Sequence, residues 1–510
     1  MSDRNFWQRK LQEQRFISHA IIDGQPYVAK SRKTCPAINP ASNTLLAEVT
    51  SLQTEDIDIA VASARRAFTS GVWSGLAPQE RKRALLRLSA LILQHREELA
   101  LLESVSMGKP VNDALNIDVP GAAHILSWYA ESVDKLYDEV APARPGALAT
   151  ITRQPIGVVA AIVPWNFPLD LASWKLGPAL AAGNSVILKP SENSPFSALR
   201  LGELALEAGI PPGVLNVVTG LGTETGSALG LHHDIDVIAF TGSTAVGKAF
   251  MAYSAQSNLK QVWLECGGKS ANIIFADCQD LDLAAEKAAF GICFNQGEVC
   301  SANSRLLVER PIYAAFIAKL QEKMQAWAPA HPLEPQSRMG AMVSAAHAEK
   351  VMAAIRRAQD EGATLLTGGL TVEIDGVANY VQPTLLTDVN EEMALWKEEI
   401  FGPVLAVCAF DSEQEAVHLA NNHIYALAAS LWTDNLHRAH RVAAQLTAGT
   451  ISVNTVDALD VTVPFGGNKQ SGFGRDLSLH AFDKFTSLKT TWFQFQFQFQ
   501  FQFQQTGETK

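Results

Sequence analysis

The chain contains the apolar run Gly157-Val158-Val159-Ala160-Ala161-Ile162-Val163, with Pro164 directly after it. β-Branched residues bounded by glycine and proline favour a strand, because their side chains pack well on a pleated surface. No polar residue interrupts the run, as expected where both faces of a sheet are covered. We therefore predict a buried strand here.

Strand and helix patterns alternate after this run. Apolar runs predict further strands at residues 185–188, 214–218, 236–240 and 271–275. Helical spacing covers residues 171–182 and 197–208. Strands joined through helices form a parallel sheet with right-handed crossovers, and such a sheet binds ligands at the carboxyl ends of its strands.

Two further regions complete the predicted organisation. The amino-terminal part is mainly helical, most clearly at residues 56–68 and 78–103. A second strand–helix series begins at residues 305–308, and residues 332–339 interrupt it. We therefore predict an α/β fold with more than one domain.

Composition narrows the class of protein. The 510 residues are 47% hydrophobic and 18% charged, which is typical of a globular protein with roughly two to four domains. The net charge of −11 argues against nucleic acid as a partner. We see no signal-peptide pattern and no window of about eighteen apolar residues, so we expect a cytoplasmic protein that does not associate with membranes.

One of the six cysteines is a candidate nucleophile. Cys300 follows a glycine turn and has small or polar neighbours, a setting that suits an accessible thiol. The alternative is a packed small hydrophobe, as most free cysteines are. Upstream, Glu265 precedes Gly267 and Gly268; a thiol and a carboxylate base together can form and hydrolyse an acyl-enzyme. The six show no CxxC pair, which indicates free thiols in a reducing compartment: Cys35, Cys266, Cys278, Cys293, Cys300 and Cys408.

A glycine-rich turn follows the strand predicted at residues 236–240. Residues 242–248 match a phosphate-binding loop as far as Lys248, but Ala249 stands where a hydroxyl residue is needed for Mg²⁺. The turn therefore indicates either a pyrophosphate site at a helix N-terminus or simply a tight connection.

Three other polar segments are candidates for binding. Lys189 and Glu192 follow a strand and suit a ribose diol, although these residues taken alone favour a solvated turn. Asn166 lies between aromatic and proline residues and could donate to an oxyanion. Residues 232–234 are His-His-Asp, but adjacent residues converge poorly on one ion, so we interpret them as a surface loop and expect no metal.

The chain closely resembles the NAD(P)-dependent aldehyde dehydrogenases from about residue 16 to residue 492. The resemblance implies an enzyme that oxidises an aldehyde to its carboxylic acid with NAD, or with NADP. Seven ordered segments carry it: residues 164–168, 189–192, 240–247, 265–269, 297–300, 399–403 and 464–467.

The resemblance also implies a role for each matching residue. Cys300 would attack the aldehyde, Asn166 and the Cys300 amide would hold the oxyanion, and Glu265 would activate the hydrolytic water. Lys175 with Asp476 would carry a proton towards solvent. The cofactor-binding residues implied are Trp165, Lys189, Glu192, Gly242, Ser243, Glu399 and Phe401.

The family fold implies a Rossmann-like NAD-binding domain, a second α/β catalytic domain and a small β element for oligomerisation. A homodimer or homotetramer is implied, with residues 147–152 pairing across subunits and residues 487–492 as their partner. The expected bounds are residues 1–138 and 156–267, residues 268–467, and residues 139–155 with 482–492, in that order.

The end of the chain is a low-complexity tail, residues 493–510. It begins with six Phe-Gln pairs, whose alternation predicts a strand with an aromatic face and an amide face. The tail has an aggregation-prone composition. One interpretation is an adhesive strand that lengthens the strand pairing or promotes higher association. The other is a low-complexity expansion or an artefact.

Two residues depart from the family pattern. Glu298 stands where many members have glutamine, and Cys266 stands where leucine is usual. A carboxylate two residues from Cys300 would raise the pKa of the thiol if it pointed inward. We expect instead that Glu298 faces away.

Within the family the chain is most like the gamma-glutamyl-gamma-aminobutyraldehyde and other omega-aminoaldehyde dehydrogenases of polyamine catabolism, notably at residues 120–123 and 461–464. The implied substrates are omega-amino, gamma-glutamylamino or guanidino butyraldehydes, as formed from putrescine. Phe167, Trp174 and Phe465 would grip an aliphatic stem. Candidate acids for a cationic end group are Asp118, Asp170, Asp457 and Asp460.

Other functions remain open. The acids could be ordinary surface charge on a broad-specificity aliphatic aldehyde dehydrogenase. An acylating dehydrogenase would pass its acyl group to phosphate or coenzyme A, but Glu265 argues against that, since a hydrolytic base would destroy the thioester. A non-catalytic structural protein on this scaffold would be expected to have lost Cys300, Glu265 or Asn166, all of which are present.

Overall fold

The computed structural model describes residues 3–495. Its strands are β1 (Ala20–Ile22), β2 (Gln25–Tyr27), β3 (Thr34–Asn39), β4 (Thr44–Thr50), β5 (Glu139–Ala141), β6 (Ala147–Pro155), β7 (Val158–Ile162), β8 (Ser185–Lys189), β9 (Leu215–Val217), β10 (Val237–Thr241), β11 (Gln261–Glu265), β12 (Ala271–Ile274), β13 (Arg305–Glu309), β14 (Thr364–Thr367), β15 (Thr371–Ile374), β16 (Val377–Val381), β17 (Thr384–Thr387), β18 (Val404–Phe410), β19 (Tyr425–Ala426), β20 (Ala428–Trp432), β21 (Thr450–Val453), β22 (Asn468–Lys469), β23 (Gly472–Phe473) and β24 (Thr486–Gln494).

The α-helices of the described residues lie between these strands. They are α1 (Arg4–Glu13), α2 (Thr54–Thr69), α3 (Pro78–Gln94), α4 (Arg96–Met107), α5 (Val111–Asp113), α6 (Val119–Ser132), α7 (Pro168–Ala182), α8 (Phe196–Glu207), α9 (Ser227–Leu231), α10 (Thr244–Gln256), α11 (Leu281–Cys293), α12 (Tyr313–Gln325), α13 (Ala345–Asp360), α14 (Ala394–Lys397), α15 (Glu413–Asn421) and α16 (Leu436–Gln445). None of them combines the length and the apolar composition needed to cross a membrane.

The first sheet is built around β7, whose five residues are all buried, as the apolar run predicts. Its strand order is β2-β1-β9-β8-β7-β10-β11-β23. The strands from β9 to β11 are parallel, and antiparallel partners close both sides. Chain order reverses at β7, because β8 lies on one side of it and β10 on the other. Doubly wound sheets bind ligands in the crevice beyond the strands at such a reversal.

Strand register places four connections at one edge of this sheet. Ile162 is opposite both Lys189 and Phe240, and Thr241 is opposite Glu265. The loops that follow β7, β8, β10 and β11 therefore emerge at the same level.

The second sheet has the order β14-β17-β18-β13-β12-β20-β21 and is parallel except at β14. Ala271, Arg305 and Ala406 lie side by side, so β12, β13 and β18 begin at one edge. The loops that lead into those strands carry Gly267, Cys300 and Phe401. The starting edge of the second sheet therefore meets the ending edge of the first.

The third sheet, β24-β6-β5, corrects one expectation. β24 pairs with β6 within one chain, from Thr486 opposite Pro155 to Gln494 opposite Ala147, whereas we expected that pairing to run across subunits. The amide of Ile156 donates to the Phe485 carbonyl at 3.2 Å, which brings β24 alongside β6 in its own chain. A role of this sheet in assembly stays a prediction. β24 includes the first Phe-Gln pair, and the rest of the predicted Phe-Gln strand from residue 496 lies outside the described residues.

The helix predicted over residues 78–103 is two helices. α3 ends at Gln94 and α4 begins at Arg96, with His95 at a ψ of 22° between them. The Nδ1 of His95 lies 2.9 Å from the Glu98 carboxylate in the first turn of α4. The apolar periodicity of the two helices is continuous enough to hide this break in the sequence.

Candidate active site

Two cavities meet at Cys300. The larger has a volume of about 420 Å³ and the smaller about 250 Å³. Cys300 is half-buried rather than packed away, so its thiol borders both spaces. The residues that line both cavities are Asn166, Leu171, Thr241, Glu265, Cys266 and Cys300.

A strained turn positions Cys300. After α11 ends, Asn295 and Gln296 adopt left-handed backbone angles, with φ of 49° and 57°. Gly297 follows with a φ of 70°, and a Cβ there would clash with the Gly402 carbonyl. The side-chain amide of Asn295 holds the turn by donating to the Asn166 and Glu298 carbonyls at 3.1 and 3.2 Å. Strain of this kind is typical of functional sites.

Glu265 ends β11 with an unpaired, buried carboxylate. Only 5% of the residue is exposed, and neither carboxylate oxygen hydrogen-bonds to another of residues 3–495. Burial and, after it, the nearby Asp476 carboxylate raise the pKa of Glu265 to about 8, although the positive charges of Lys175 and Lys484 oppose the rise. A carboxyl group with this pKa can act as a general base near neutral pH.

The Asn166 side chain is fixed beside the thiol loop. Its Nδ2 donates to the Glu298 carbonyl at 2.8 Å, and its Oδ1 has no partner among the described residues. The amide carries a second N–H on Nδ2, which remains available to an acceptor between the two cavities.

Burial raises the pKa of the Cys300 thiol, and the carboxylates of Asp457, Glu399 and Glu265 raise it further in that order. The thiol is therefore protonated near neutral pH and needs a base before it can attack. Glu265 lines both cavities together with Cys300.

The smaller cavity includes the glycine-rich turn. Gly242 and Ser243 precede α10, and the Ser243 hydroxyl caps the helix by accepting from the Val246 amide at 3.4 Å. Lys248 is directed elsewhere, since its Nζ donates to the Gln470 side chain at 2.8 Å. The turn thus presents a helix N-terminus rather than a phosphate-loop lysine.

Glu399 and Phe401 enter the smaller cavity from the second sheet. The Glu399 carboxylate accepts from the Gly268 amide at 3.1 Å, and a Cβ on Gly267 would clash with it. Burial raises the pKa of Glu399 to about 7. Phe401 has a φ of 61°, and its ring meets Trp165 edge-on with centroids 5.4 Å apart.

Two residues of this cavity were missed by the sequence analysis. His347 and Lys350 both line it, and His347 Nε2 lies 2.8 Å from the Phe401 carbonyl oxygen. They are three residues apart on α13 and so share a helix face. That spacing is too common to identify a site without the fold.

Three of the predicted site residues lie outside both cavity linings: Lys175, Lys189 and Glu192. Lys189 is at the end of β8, with its Nζ 3.8 Å from the Glu192 carboxylate and 3.1 Å from the Pro190 carbonyl. Lys175 is buried behind Glu265 and is paired with Asp476. His232, which we interpreted as part of a surface loop, lies 3.3 Å from Asp58.

The larger cavity contains all of the predicted substrate residues. Trp174 and Phe465 meet edge-on with ring centroids 5.3 Å apart. The predicted residues that line it are Phe167, Trp174, Phe465, Asp118, Asp457 and Asp460, together with Asp170.

Each of the four candidate acids for a cationic end group already has a partner. Asp118 is ion-paired with Lys109, and Asp170 accepts from the Trp174 indole at 2.9 Å. Asp457 accepts from the Ser301 hydroxyl at 2.6 Å. Asp460 accepts from the Thr462 amide at 2.8 Å and is exposed.

Burial also changes the charge of these acids. It raises the pKa of Asp170 to about 7 and raises the pKa of Asp118 and Asp457. The pKa of Asp460 is instead lowered by its hydrogen bonds with Thr462. Asp460 is therefore the acid of this set whose ionised form is most favoured, and it lies at the exposed edge of the cavity.

The Glu298 carboxylate faces away from Cys300, as expected. It accepts from the Val343 amide at 3.0 Å and from the Gln296 side chain at 3.4 Å. Burial raises the pKa of the Glu298 carboxyl well above the usual range.

A half-buried thiol beside a buried carboxylate and a free amide N–H, at the junction of two cavities, is typical of enzymes that form a covalent thiol intermediate. The model of the aldehyde dehydrogenase family matches residues 27–491. The chain belongs to the aldehyde dehydrogenase family and is an oxidoreductase that acts on aldehydes.

Individual relatives agree with this assignment. The NADP/NAD-dependent aldehyde dehydrogenase PuuC of Escherichia coli K12 is 51% identical over 487 residues, which is 96% of this chain and 98% of PuuC. The solved structure of the gamma-glutamyl-gamma-aminobutyraldehyde dehydrogenase of Burkholderia cenocepacia J2315 is 51% identical to this chain, with a TM-score of 0.95. The match covers 97% of this chain and 100% of the Burkholderia chain. A mutant of the P. syringae indole-3-acetaldehyde dehydrogenase AldA, in complex with NAD+ and IAA, has a TM-score of 0.96 at the same identity and coverage. The resemblance and the α/β fold inferred from the sequence are confirmed.

Glu298→Gln tests the electrostatics of the thiol. Because the Glu298 carboxyl faces away from Cys300 and accepts from the Val343 amide, the substitution should leave the pH midpoint of Cys300 alkylation within about 0.3 of the parent value. Asp457→Asn is the matched comparison, since it removes a carboxylate that raises the pKa of Cys300, and should lower the midpoint. Mass spectrometry of the Cys300 peptide after iodoacetamide pulses measures both. A fall of about one unit in Glu298→Gln would show that the carboxylate acts on the thiol after all.

Proposed function

We propose that the protein oxidises an aldehyde to its carboxylic acid with NAD+, through a thioester on Cys300 that is hydrolysed by water activated by Glu265. The observation that carries this proposal is the position of Cys300, Glu265 and Asn166 at the junction of the two cavities. An aldehyde in the larger cavity and a cofactor in the smaller one would meet at the thiol.

The residues of the smaller cavity fit a nicotinamide dinucleotide. The N-terminus of α10 at Ser243 suits a pyrophosphate, because free amide groups and the helix dipole favour an anion. The Thr241 hydroxyl is buried without a hydrogen-bond partner among the described residues, and Glu399 offers a carboxylate to a ribose diol. The names of PuuC and of the AldA complex, which include NAD, support this assignment. When bound, NAD+ supplies the acceptor for the hydride.

The chemistry carried by the chain is covalent and acid–base. Cys300 Sγ, after losing its proton, bonds to the aldehyde carbon, and the oxyanion so formed accepts from Asn166 Nδ2 and the Cys300 amide. Loss of hydride from that carbon leaves a thioester on Cys300. Glu265 then takes a proton from water, which adds to the thioester carbonyl and releases the carboxylic acid and the free thiol. Lys175 and Asp476, behind Glu265, would pass its proton towards solvent.

Glu192 bears on the choice of cofactor. Its carboxylate, near the buried Lys189 ammonium, suits a ribose diol and would repel a 2′-phosphate. We expect NAD to be preferred. The name of PuuC, which includes both cofactors, supports some use of NADP.

For the substrate we favour omega-aminoaldehydes and their gamma-glutamyl derivatives. The name of the Burkholderia enzyme supports this choice. The acids that line the larger cavity also support it. The second candidate is an apolar aldehyde, which the aromatic lining and the similarity to the indole-3-acetaldehyde dehydrogenase favour. Burial raises the pKa of Asp118, Asp170 and Asp457 and so disfavours their charged forms. Asp460 is therefore the acid we expect to attract a cationic end group.

A substrate comparison separates the two candidates. The kcat/KM for 4-aminobutanal should exceed that for butanal by roughly threefold, because a charge contact at the exposed Asp460 is screened by solvent. Asp460→Asn should reduce the ratio, and Asp360→Asn, an exposed acid on α13, should not. Reduced-nicotinamide absorbance gives the rates. A ratio near unity in the parent enzyme would reject recognition of the cation and leave a broad-specificity aldehyde dehydrogenase.

The pH dependence of turnover tests the role of Glu265. The carboxyl works as a base only when deprotonated, and its pKa is raised to about 8, so kcat should rise about tenfold per unit below that pH and level off above it. Glu265→Gln should abolish this rise, and the product of the parent enzyme should be the free acid. Product formed as an acyl phosphate or a coenzyme A thioester would instead identify an acylating dehydrogenase.

A further inference from the structure

The carboxylate of Asp476 lies between two buried lysines. Its Oδ2 accepts from Lys175 Nζ and its Oδ1 from Lys484 Nζ. All three residues are at most 2% exposed. The proton path proposed above uses Lys175 and Asp476, and it gives no role to Lys484.

Three parts of the fold hold this group in place. Lys175 comes from α7, and Lys484 ends the 3-10 helix Leu479–Lys484 that precedes β24. The backbone of Asp476 exchanges two hydrogen bonds with Phe465, at 2.8 and 2.7 Å. The geometry of the carboxylate is therefore fixed on its backbone and on both oxygens.

The cluster balances its charges only when Lys484 is included. When Glu265 is ionised, it and Asp476 carry two negative charges, and Lys175 and Lys484 carry two positive ones. Without Lys484, the pair of Asp476 and Lys175 is neutral, and an ionised Glu265 would be an uncompensated buried anion, which is costly.

The other titratable groups near the cluster are engaged elsewhere. Arg475, which also faces Glu265, donates to the Gly467 and Gly474 carbonyls. Tyr129 from α6 faces Asp476 and donates its hydroxyl to the Ser478 carbonyl at 3.1 Å. Cys266 and Cys300 complete the titratable groups around Glu265, and burial raises the pKa of both thiols, so they are neutral.

We propose that Lys484 is a positioning residue that keeps Asp476 ionised and, through its charge, sets the pH at which Glu265 becomes an active base. This inference rests on the proposed role of Glu265. Lys484 does not line either cavity and acts without touching substrate or cofactor.

The proposal predicts opposite effects from opposite charges. Lys484 lowers the pKa of Glu265 and Asp476 raises it. Lys484→Met keeps an unbranched chain but removes a positive charge, so it should raise the pH midpoint of activity. Asp476→Asn removes a negative charge and should lower it. The double variant restores neutrality with Lys175 and should return the midpoint towards that of the parent.

The test is a pH profile from 6 to 10 for these variants, for Lys484→Arg and for Glu265→Gln. Hydrolysis of p-nitrophenyl acetate, which would use the proposed nucleophile Cys300 and the proposed base Glu265 without cofactor, is measured in parallel with aldehyde oxidation. Lys484→Met should lose about tenfold in rate below the midpoint and little above it, the result of a shift of about one unit. Lys484→Arg should behave like the parent. Lys30→Met, at an exposed lysine in the loop between β2 and β3, is the control and should change neither rate nor midpoint.

A purely structural role would give a different result. If Lys484→Met loses the same fraction of activity at every pH, or if its midpoint equals that of the parent, the proposal is overturned. If the melting temperature shows that Lys484→Met folds poorly, the double variant of Lys484→Met and Asp476→Asn decides the question. A pH midpoint of activity like that of the parent in the double variant supports the proposal, and a pH midpoint as low as that of Asp476→Asn overturns it. A parent profile that Glu265→Gln does not change would instead contradict the proposed base itself, and this inference with it.

Discussion

The site depends on a buried carboxylate that is left without a hydrogen bond. Glu265 ends a strand of the first sheet among residues that are almost all buried, and an isolated charge there would be expensive. The fold accommodates it in two ways. Burial keeps the carboxyl largely protonated near neutral pH, and the ammonium groups of Lys175 and Lys484 lower the cost of ionising it. Because the pKa of this carboxyl group is raised, its ionised form is a stronger base than an ordinary carboxylate.

The two sheets bring this base to the thiol. Parallel strands in register deliver Asn166, Ser243 and Glu265 to one edge of the first sheet, and the second sheet begins where the loops of Cys300 and Phe401 arrive. Glycines make the approach possible where side chains would collide. At Gly466, for example, φ is +158° and a Cβ would lie 2.7 Å from Glu265 Oε1. Packing of two rigid edges, rather than a single motif, therefore creates the junction between the cavities.

Local sequence predicted the parts of the site that short-range patterns encode. Buried strands, the glycine turns and the exceptional surroundings of Cys300 are all features of a few neighbouring residues. Partners far apart in the chain could not be found in this way. The pairing of Asp118 with Lys109, the support of Phe401 by His347, and the contact of Lys484 with Asp476 all depend on folded distances. The pairing of β24 with β6 inside one chain was missed for the same reason, because two strand patterns do not reveal which copy each belongs to.

The central claim is that Cys300 carries the substrate as a thioester which Glu265 hydrolyses. Mass spectrometry of Glu265→Gln mixed with aldehyde and NAD+ and quenched in acid tests this most directly. The account predicts that the protein gains the mass of the acyl group, on the peptide that contains Cys300, with one reduced cofactor formed per site. An enzyme that turns over at the parental rate without any adduct, or an adduct on another residue, would contradict it.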